Sequence, residues 1–506
     1  MEDKIVVTHG GALRTKYGTK GFAAIRTALS ALVKADKGRG FETAVVYLDD
    51  GTAMKKLKAP PVTNAKSPRA FKAAIDGVFK TLHPDYLMIL GADDVVPHQD
   101  LRNTAAEDGD PFAYGDLPYA CDKPYSRDPA MFVGPTRVVA RLPDLTSAKE
   151  PSHLLALLKT AARWKQRTPA DYTGYFGLSA AVWRGSTELS LDEVLGSHAA
   201  LRLSPSQGPS HPDSVLQTLT HFINCHGAPA APEFYGQKGN KYPIALTTKG
   251  IRKSIREGTI AAVECCYGAE LYDAATLGLD VPICQEYLAR GAYGFLGSTT
   301  IAYGPPDTNG AADLLCQFFL LNVLGGASVG RAALMARQQY VERVAQMDPI
   351  DLKTLAQFCV YGDPSVHPVK LSDPPGVPKS TDPAIAQRMF RSERRQKLRE
   401  KGEFLQMSKP TASRTTTAGR VSPKTRQSLA AIAREARLSS KVQFHRFAVS
   451  GAPKAKGSIA KLATQPMRYH MAIGRPRADR SPFSLVCIMA KEANGKVMGY
   501  RVYQRR

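Results

Sequence analysis

The sequence predicts an α/β protein built on a mostly parallel sheet, followed by a basic linker and a small β-rich C-terminal region. Three observations predict it. Through residue 370, short apolar runs bounded by turn residues alternate with stretches of helical periodicity. Charge is split unevenly: residues 1–370 carry 39 Lys and Arg against 37 Asp and Glu, whereas residues 371–506 carry 29 against 8. Near the end, SLVCIMAKEANGKVMGYRVYQ sets Asn-Gly between two alternating runs, a strong hairpin signal.

In chain order, KIVVTH (4–9), TAVVYLD (43–49) and DYLMILGA (85–92) read as buried parallel strands, because their apolar runs are nearly continuous. Residues 21–36 and 67–82 have helical spacing between them. RVVARLPD (137–144) adds a strand, and the helical stretch 153–167 closes a first unit, assigned to residues 1–168. A second unit, 169–371, holds the candidate strands TGYFGLSAA, LTHFINC, TIAAVECC, AYGFLGST and FCVYGD. Pro282 and Gly291 bracket a helix, and Asn309 is the expected cap of a long helix running toward Gly325. Residues 372–440 form the basic linker. It has an expected helix at 388–404, a Ser/Thr/Pro/Arg-rich flexible stretch at 408–426 and a short helix at 428–440. Residues 441–506 form the small basic β-rich region.

No apolar run is long enough to span a membrane, and MEDKIVVTHGG lacks the pattern of an export signal. The eight cysteines show no paired CxxC spacing. The expectation is a cytoplasmic protein with reduced thiols.

Ligands of parallel α/β sheets gather beyond the carboxyl ends of strands. His226 stands just past LTHFINC, and VECCYGAELYD ends the next candidate strand with two thiols. A right-handed crossover between them leaves the two strands adjacent. An imidazole then faces a thiol, as a cysteine nucleophile requires. The backbone N–H groups of Gly227 and Cys265 are the candidate oxyanion donors.

These segments resemble the gingipain family of caspase-like cysteine peptidases. FINCHGAPAAPEFYG is similar to that family's His-Gly segment, and VECCYGAELYD to its Cys-x-x-Gly segment. YLMILGADDVVP, VVARLP, AYGFLGSTT and VYGDPSVHP resemble four further family segments, in family order. The resemblance implies a caspase-like three-layer α/β/α sandwich and a Cys-His dyad of Cys265 and His226. It also implies hydrolysis through a thioester acyl-enzyme, with no metal and no other cofactor. The Cys-x-x-Gly spacing selects Cys265, and strand alternation turns Cys266 the other way. By position, Glu188 and then Asp192 are the expected acids of a pocket for Arg or Lys, with Tyr303 and Tyr235 as its aromatic lining. The family acid that orients the histidine has no counterpart in SAAVW (179–183).

Two function classes compete for the basic region. In the first, the protein is a cytoplasmic cysteine endopeptidase acting on protein or peptide substrates after a basic residue. Its C-terminal region then serves as inhibitor, targeting arm, site of a regulatory protein partner, or self-cleaved segment at 388–426. In the alternative, a catalytically impaired scaffold carries a region of +21 charge that binds nucleic acid or another polyanion through residues 388–506. Phe444, Arg446, Phe447, Arg468, Tyr469, Tyr500, Arg501 and Tyr503 would then interleave stacking and phosphate contacts. The paired loops favour the peptidase.

Overall fold

The computed structural model describes residues 2–371, 383–414, 421–439, 441–450, 467–479 and 481–506, with the side chains of 383–389 and 450 left aside. Eleven strands of the body matter here. They are β1 (Lys4–Thr8), β2 (Thr43–Tyr47), β3 (Tyr86–Leu90), β4 (Val139–Leu142), β5 (Tyr175–Ala180), β6 (Leu201–Ser204), β7 (Thr220–Asn224), β8 (Ile260–Val263), β9 (Gly294–Ser298), β10 (Tyr303–Gly304) and β11 (Phe358–Tyr361). All but β10 join one ten-stranded sheet in the order β2-β1-β3-β4-β11-β9-β8-β7-β5-β6. Every neighbouring pair is parallel except β11 and β9, which are antiparallel. The sheet is therefore two parallel halves running in opposite directions, with helices on both faces. FCVYGD belongs to the seam: it pairs with β4 of the first half as well as with β9.

The strand residues explain the layering. Alternate residues of β8 enter two different cores: Ala261 and Val263 pack in one, Ile260 and Ala262 in the other. Both faces are apolar because both are covered. Burying a chain segment on two faces at about 25 cal/mol per Å² of apolar surface is what holds such central strands. The edge strand β6 and the hairpin of His226–Gly227 with Glu233–Tyr235 were not legible as strands, being short and polar.

Helix α1 (Gly10–Gly38) follows β1, with His9 as its N-cap. Helix α2 (Arg184–Leu195) follows β5, and α3 (Ala312–Leu324) follows β10. Asn309 does not cap α3, which begins after Ala311. Its side chain instead reaches Ser190 and Gln317.

Beyond the body, α4 (Pro383–Ser408) contains the expected basic helix. It is docked: Arg391 pairs with Asp3 and Asp85, and Arg395 with Asp85. The strand β12 (Thr411–Arg414) and helix α5 (Pro423–Glu435) lead to β13 (His445–Ser450), β14 (Arg468–Gly474), β15 (Val486–Ala493) and β16 (Lys496–Arg505). The stretch 415–420, within the expected flexible segment, lies outside the described residues. Asn494 and Gly495 both adopt positive φ between β15 and β16, as a two-residue hairpin turn of this kind requires. The antiparallel sheet runs β10-β16-β15-β14-β13-β12, so one strand of the body is built into the C-terminal sheet.

Among the described residues no helix is long and apolar enough to cross a membrane.

Candidate active site

Strand register decides which thiol meets the histidine. Ala262 pairs with Phe222 and Val263 with Ile223, an offset of forty residues. Continued past the strand ends, that offset sets Cys265 opposite Cys225 and Cys266 opposite His226. Side chains alternate faces, so each pair shares one side of the sheet. The contacts follow this parity. Cys265 Sγ lies 3.4 Å from the Cys225 N–H, in the core with Ile223, Cys225 and Val263. Cys266 Sγ lies against the Ala302 backbone, 3.2 Å from its nitrogen. Cys265 thus lies in one core with Ile223 and Val263, and Cys266 in the core of the opposite face, the face to which the forty-residue offset assigns His226. Tyr267, at φ 55°, kinks the chain directly after Cys266. Such a conformation costs a non-glycine residue roughly 1 kcal/mol or more and needs support from its surroundings. The Tyr267 N–H donates to the Thr300 carbonyl, and its hydroxyl donates to Asp110.

Gly227 is fixed by contact. A Cβ there would stand 1.7 Å from the Cys266 carbonyl oxygen, so the two loops touch backbone to backbone. Their N–H groups converge on one acceptor. Gly227 N is 3.4 Å, and Cys266 N 3.2 Å, from the main-chain oxygen of Arg506. The second donor is thus Cys266 rather than Cys265.

The His226 ring is buried between Trp183, Tyr242 and Phe483. The Gln237 amide nitrogen donates to the Gly239 carbonyl and the Tyr242 hydroxyl, leaving Oε1 to accept from His226 Nε2 at 2.7 Å. Nε2 therefore carries the proton. Among the described residues, Nδ1 is a buried lone pair without a hydrogen-bond partner. Sequence reasoning looked for an acid here and missed Gln237, whose position beyond the short hairpin has no local signal. Burial pushes the imidazole down to about 3, only partly opposed by Gln237, with Arg505 and Arg506 adding to the effect. Burial raises the Cys266 thiol, against the pull of Arg505. Both groups are neutral near pH 7 in this arrangement.

A deep pocket opens beside the two donors and is filled by the Arg506 side chain, fully buried. Its Nη2 donates to Asp313 and to the Pro305 carbonyl, both at 2.8 Å, and lies 3.3 Å from Ser186. The guanidinium stacks on Trp183 at 4.5 Å. Its Nε is 3.8 Å from Glu264. Burial and the neighbouring Asp313 charge drive Glu264 well above the usual carboxylate range. Gly304 forms the flat wall, since a Cβ there would meet the guanidinium at 2.2–2.6 Å.

The expected pocket residues fare differently. Glu188 pairs with Arg184, and Asp192 with His198, on the exposed side of α2. Neither reaches Arg506. Their segment does supply the pocket, through Trp183 and Ser186. Tyr303 contributes its backbone to the cleft while its ring is buried and its hydroxyl bonds to Asp108. Tyr235 sits opposite His226 in the hairpin and packs on Phe483. Glu264 was legible in principle, two residues before Cys266 on the same face. Asp313, in the first turn of α3, was not.

For a cation, the described residues bring together His98, Asp116 and Cys359 in the first half of the sheet. Arg141 already engages both Asp116 oxygens, at 2.9 and 2.5 Å, so this trio is an ion-pair core.

Of the aromatics named for base stacking, Phe447, Tyr469 and Tyr503 are buried, whereas Tyr500 is exposed.

No family model matches the chain, and no curated protein matches it. Among solved structures it is similar to one described as "Structure of Protease", at 13% identity over 99% of this chain and 97% of that one, with a TM-score of 0.47. It is also similar to the Saccharomyces cerevisiae separase–securin complex, at 13% identity over 56% of this chain and 15% of that one, with a TM-score of 0.30. At these scores the chemistry has to be read from the site's own geometry.

Proposed function

We propose that the protein is a cysteine endopeptidase that cleaves after arginine, with Cys266 as nucleophile and His226 as base. One observation carries this reading: a main-chain oxygen held by two backbone donors, on a residue whose guanidinium fills an acid-floored pocket. In the reaction, His226 Nδ1 takes the Cys266 proton as sulfur attacks the carbonyl carbon. The oxyanion is held by the Gly227 and Cys266 N–H groups. The imidazolium then protonates the leaving amine, the C–N bond breaks and a thioester remains. Water attacks the thioester, gives its proton to His226, and the peptide leaves as a carboxylate with the thiol restored. Gln237 orients the ring by accepting from Nε2. Asp313 supplies the charge that selects arginine, and Trp183 the stacking face. No step requires a metal.

The polyanion reading is less well supported, because three of its stacking aromatics are core residues.

The test is covalent labelling with an irreversible arginyl peptide ketone, the modified residue being located by mass spectrometry. Labelling at Cys266 that is lost in His226→Ala is the expected result. Labelling at Cys265, or none in a chain whose Arg506 is replaced by Glu, overturns the assignment.

A further inference from the structure

The occupant of the cleft is part of the chain itself, and it is held as a strand. β16 pairs antiparallel with β10, Arg505 opposite Tyr303 and Gln504 opposite Gly304. The Arg506 N–H donates to the Ala302 carbonyl at 3.1 Å. Gln504 Oε1 accepts from Trp183 Nε1 at 2.7 Å. The Arg505 guanidinium donates to the Gly227 carbonyl at 3.2 Å and lies over the Tyr267 ring. Backbone pairing along an exposed edge, with side chains dropped into pockets, is how an extended peptide is recognised by strand addition.

The C-terminal region adds a clamp around this strand. Tyr242 donates to Asp479, Asn240 donates to the Ala478 carbonyl, and Phe483 covers His226. A cavity of about 350 Å³ remains between body and C-terminal region, lined in part by Trp183, His226, Gln237 and Arg437. The arginine-rich helix α4 takes no part: its Arg391 and Arg395 are engaged with Asp3 and Asp85.

We infer that Gln504-Arg505-Arg506 is bound in substrate register, so that the chain's own peptide blocks the cleft and an outside peptide must first displace it. This rests on the reading of the site as a peptidase and adds the regulation of that site. A tethered occupant competes at an effective concentration of about millimolar, which no ordinary substrate matches. Activity is therefore latent while β16 stays in place, and release of its last three residues is the activating event. The peptide recognised is an extended strand carrying two consecutive basic residues, with a hydrogen-bond acceptor two positions before the second.

Arg506→Glu in the full chain tests it. Hydrolysis of an arginyl tetrapeptide reporter is expected to rise about 10²-fold in kcat/KM, within the range that tethering provides. In parallel, a fluorescent Tyr-Gln-Arg-Arg peptide is titrated into Cys266→Ala chains with and without Arg506→Glu. Binding only when Arg506 is replaced, and its loss on adding Asp313→Asn, is the expected pattern. Equal binding with the tail intact overturns the inference. Peptide binding without hydrolysis in any variant keeps the occupancy and overturns the peptidase reading instead. Should Arg506→Glu not fold, the unaltered chain decides. Two arginyl ketones of different reactivity should label Cys266 with the same limiting rate, set by departure of the tail. Rates that track probe reactivity overturn the inference.

Discussion

The two halves of the sheet end their strands in opposite ways, and the contrast shows what separates a site from a strand end. In the first half, polar groups at the strand ends pair with each other, although Gln99 Oε1 and His153 Nε2 have no partner among the described residues. His9 caps α1, Asp49 accepts from the Gly10 and Gly11 N–H groups at 2.7 Å, and Lys16 sits between Asp94 and Asp144 at 2.8 Å from each. In the second half, among the described residues, His226 Nδ1 is buried without a hydrogen-bond partner. Buried polar atoms left unpaired in a native fold cost roughly 1–3 kcal/mol each and call for an explanation. On the proposed reading, the lone pair at His226 is kept for proton transfer. Topology puts five strand ends at each carboxyl edge, and what sets the second half apart is where its unpaired imidazole nitrogen stands, beside the cleft that Arg506 fills.

The largest test of this contrast is at the paired thiols. Cys266→Ala is expected to reduce peptide turnover by about 10⁴-fold or more, as loss of a nucleophile does. Cys265→Ala should leave turnover within a few-fold and lower the melting temperature, because it removes a core contact; equal losses in both would dissolve the distinction. Next comes the pocket. Asp313→Asn, which removes one partner of a fully buried ion pair, should cost kcat/KM on arginyl substrates about 10²–10³-fold. Glu264→Gln should cost far less, because that carboxyl is already driven toward its neutral form. Glu188→Gln, in an exposed pair with Arg184, should change nothing beyond about two-fold.

Much of this was legible before any coordinates. Apolar runs placed the parallel strands, and His226-Gly227 and the thiols fell at neighbouring strand ends as topology demanded. An offset of forty residues assigns Cys266, not Cys265, to the face of His226, but that offset comes from the strand pairing. What could not be read was the register itself, since sliding the pairing by one residue exchanges the two cysteines. The acid that meets Arg506 differs from the expected one for a related reason. Glu188 lies in a segment that does reach the pocket, but helical periodicity turns its side chain outward while Ser186 points in. Asp313 arrives from a helix far along the chain, and no local pattern announces it. Least legible was the role of the last residues, whose composition suggested charge for an external partner. Their placement is set by β16 pairing with β10, a contact between distant segments that no residue type encodes alone.

A smaller effect follows from Gln237. Gln237→Leu removes the acceptor for Nε2 and frees the ring to turn, which should lower kcat about ten-fold, the value of one hydrogen bond, with KM little changed. A larger change in KM than in kcat would point to a binding role instead.

The gentlest test sets one histidine of each half against the other. In the first half, burial and Arg141 oppose protonation of His98, but the carboxylates of Asp116 and Asp93 win and hold it up to about 9. Its contribution to stability is complete below the unfolded value near 6.5 and is lost as pH rises toward 9. In the second half, burial pushes His226 and His221 down to about 3. Below pH 6.5 the unfolded chain takes up protons that these rings refuse, so each subtracts about 1.4 kcal/mol per pH unit as pH falls toward 3. Thermal unfolding from pH 4.5 to 9 should therefore decline at both ends. His98→Gln should flatten the alkaline limb between 6.5 and 9 while leaving the acid limb intact. His221→Phe should ease the acid limb alone. A single substitution that flattened both limbs would mean that the two halves of the sheet titrate as one, and that their strand ends differ less than their hydrogen bonds imply.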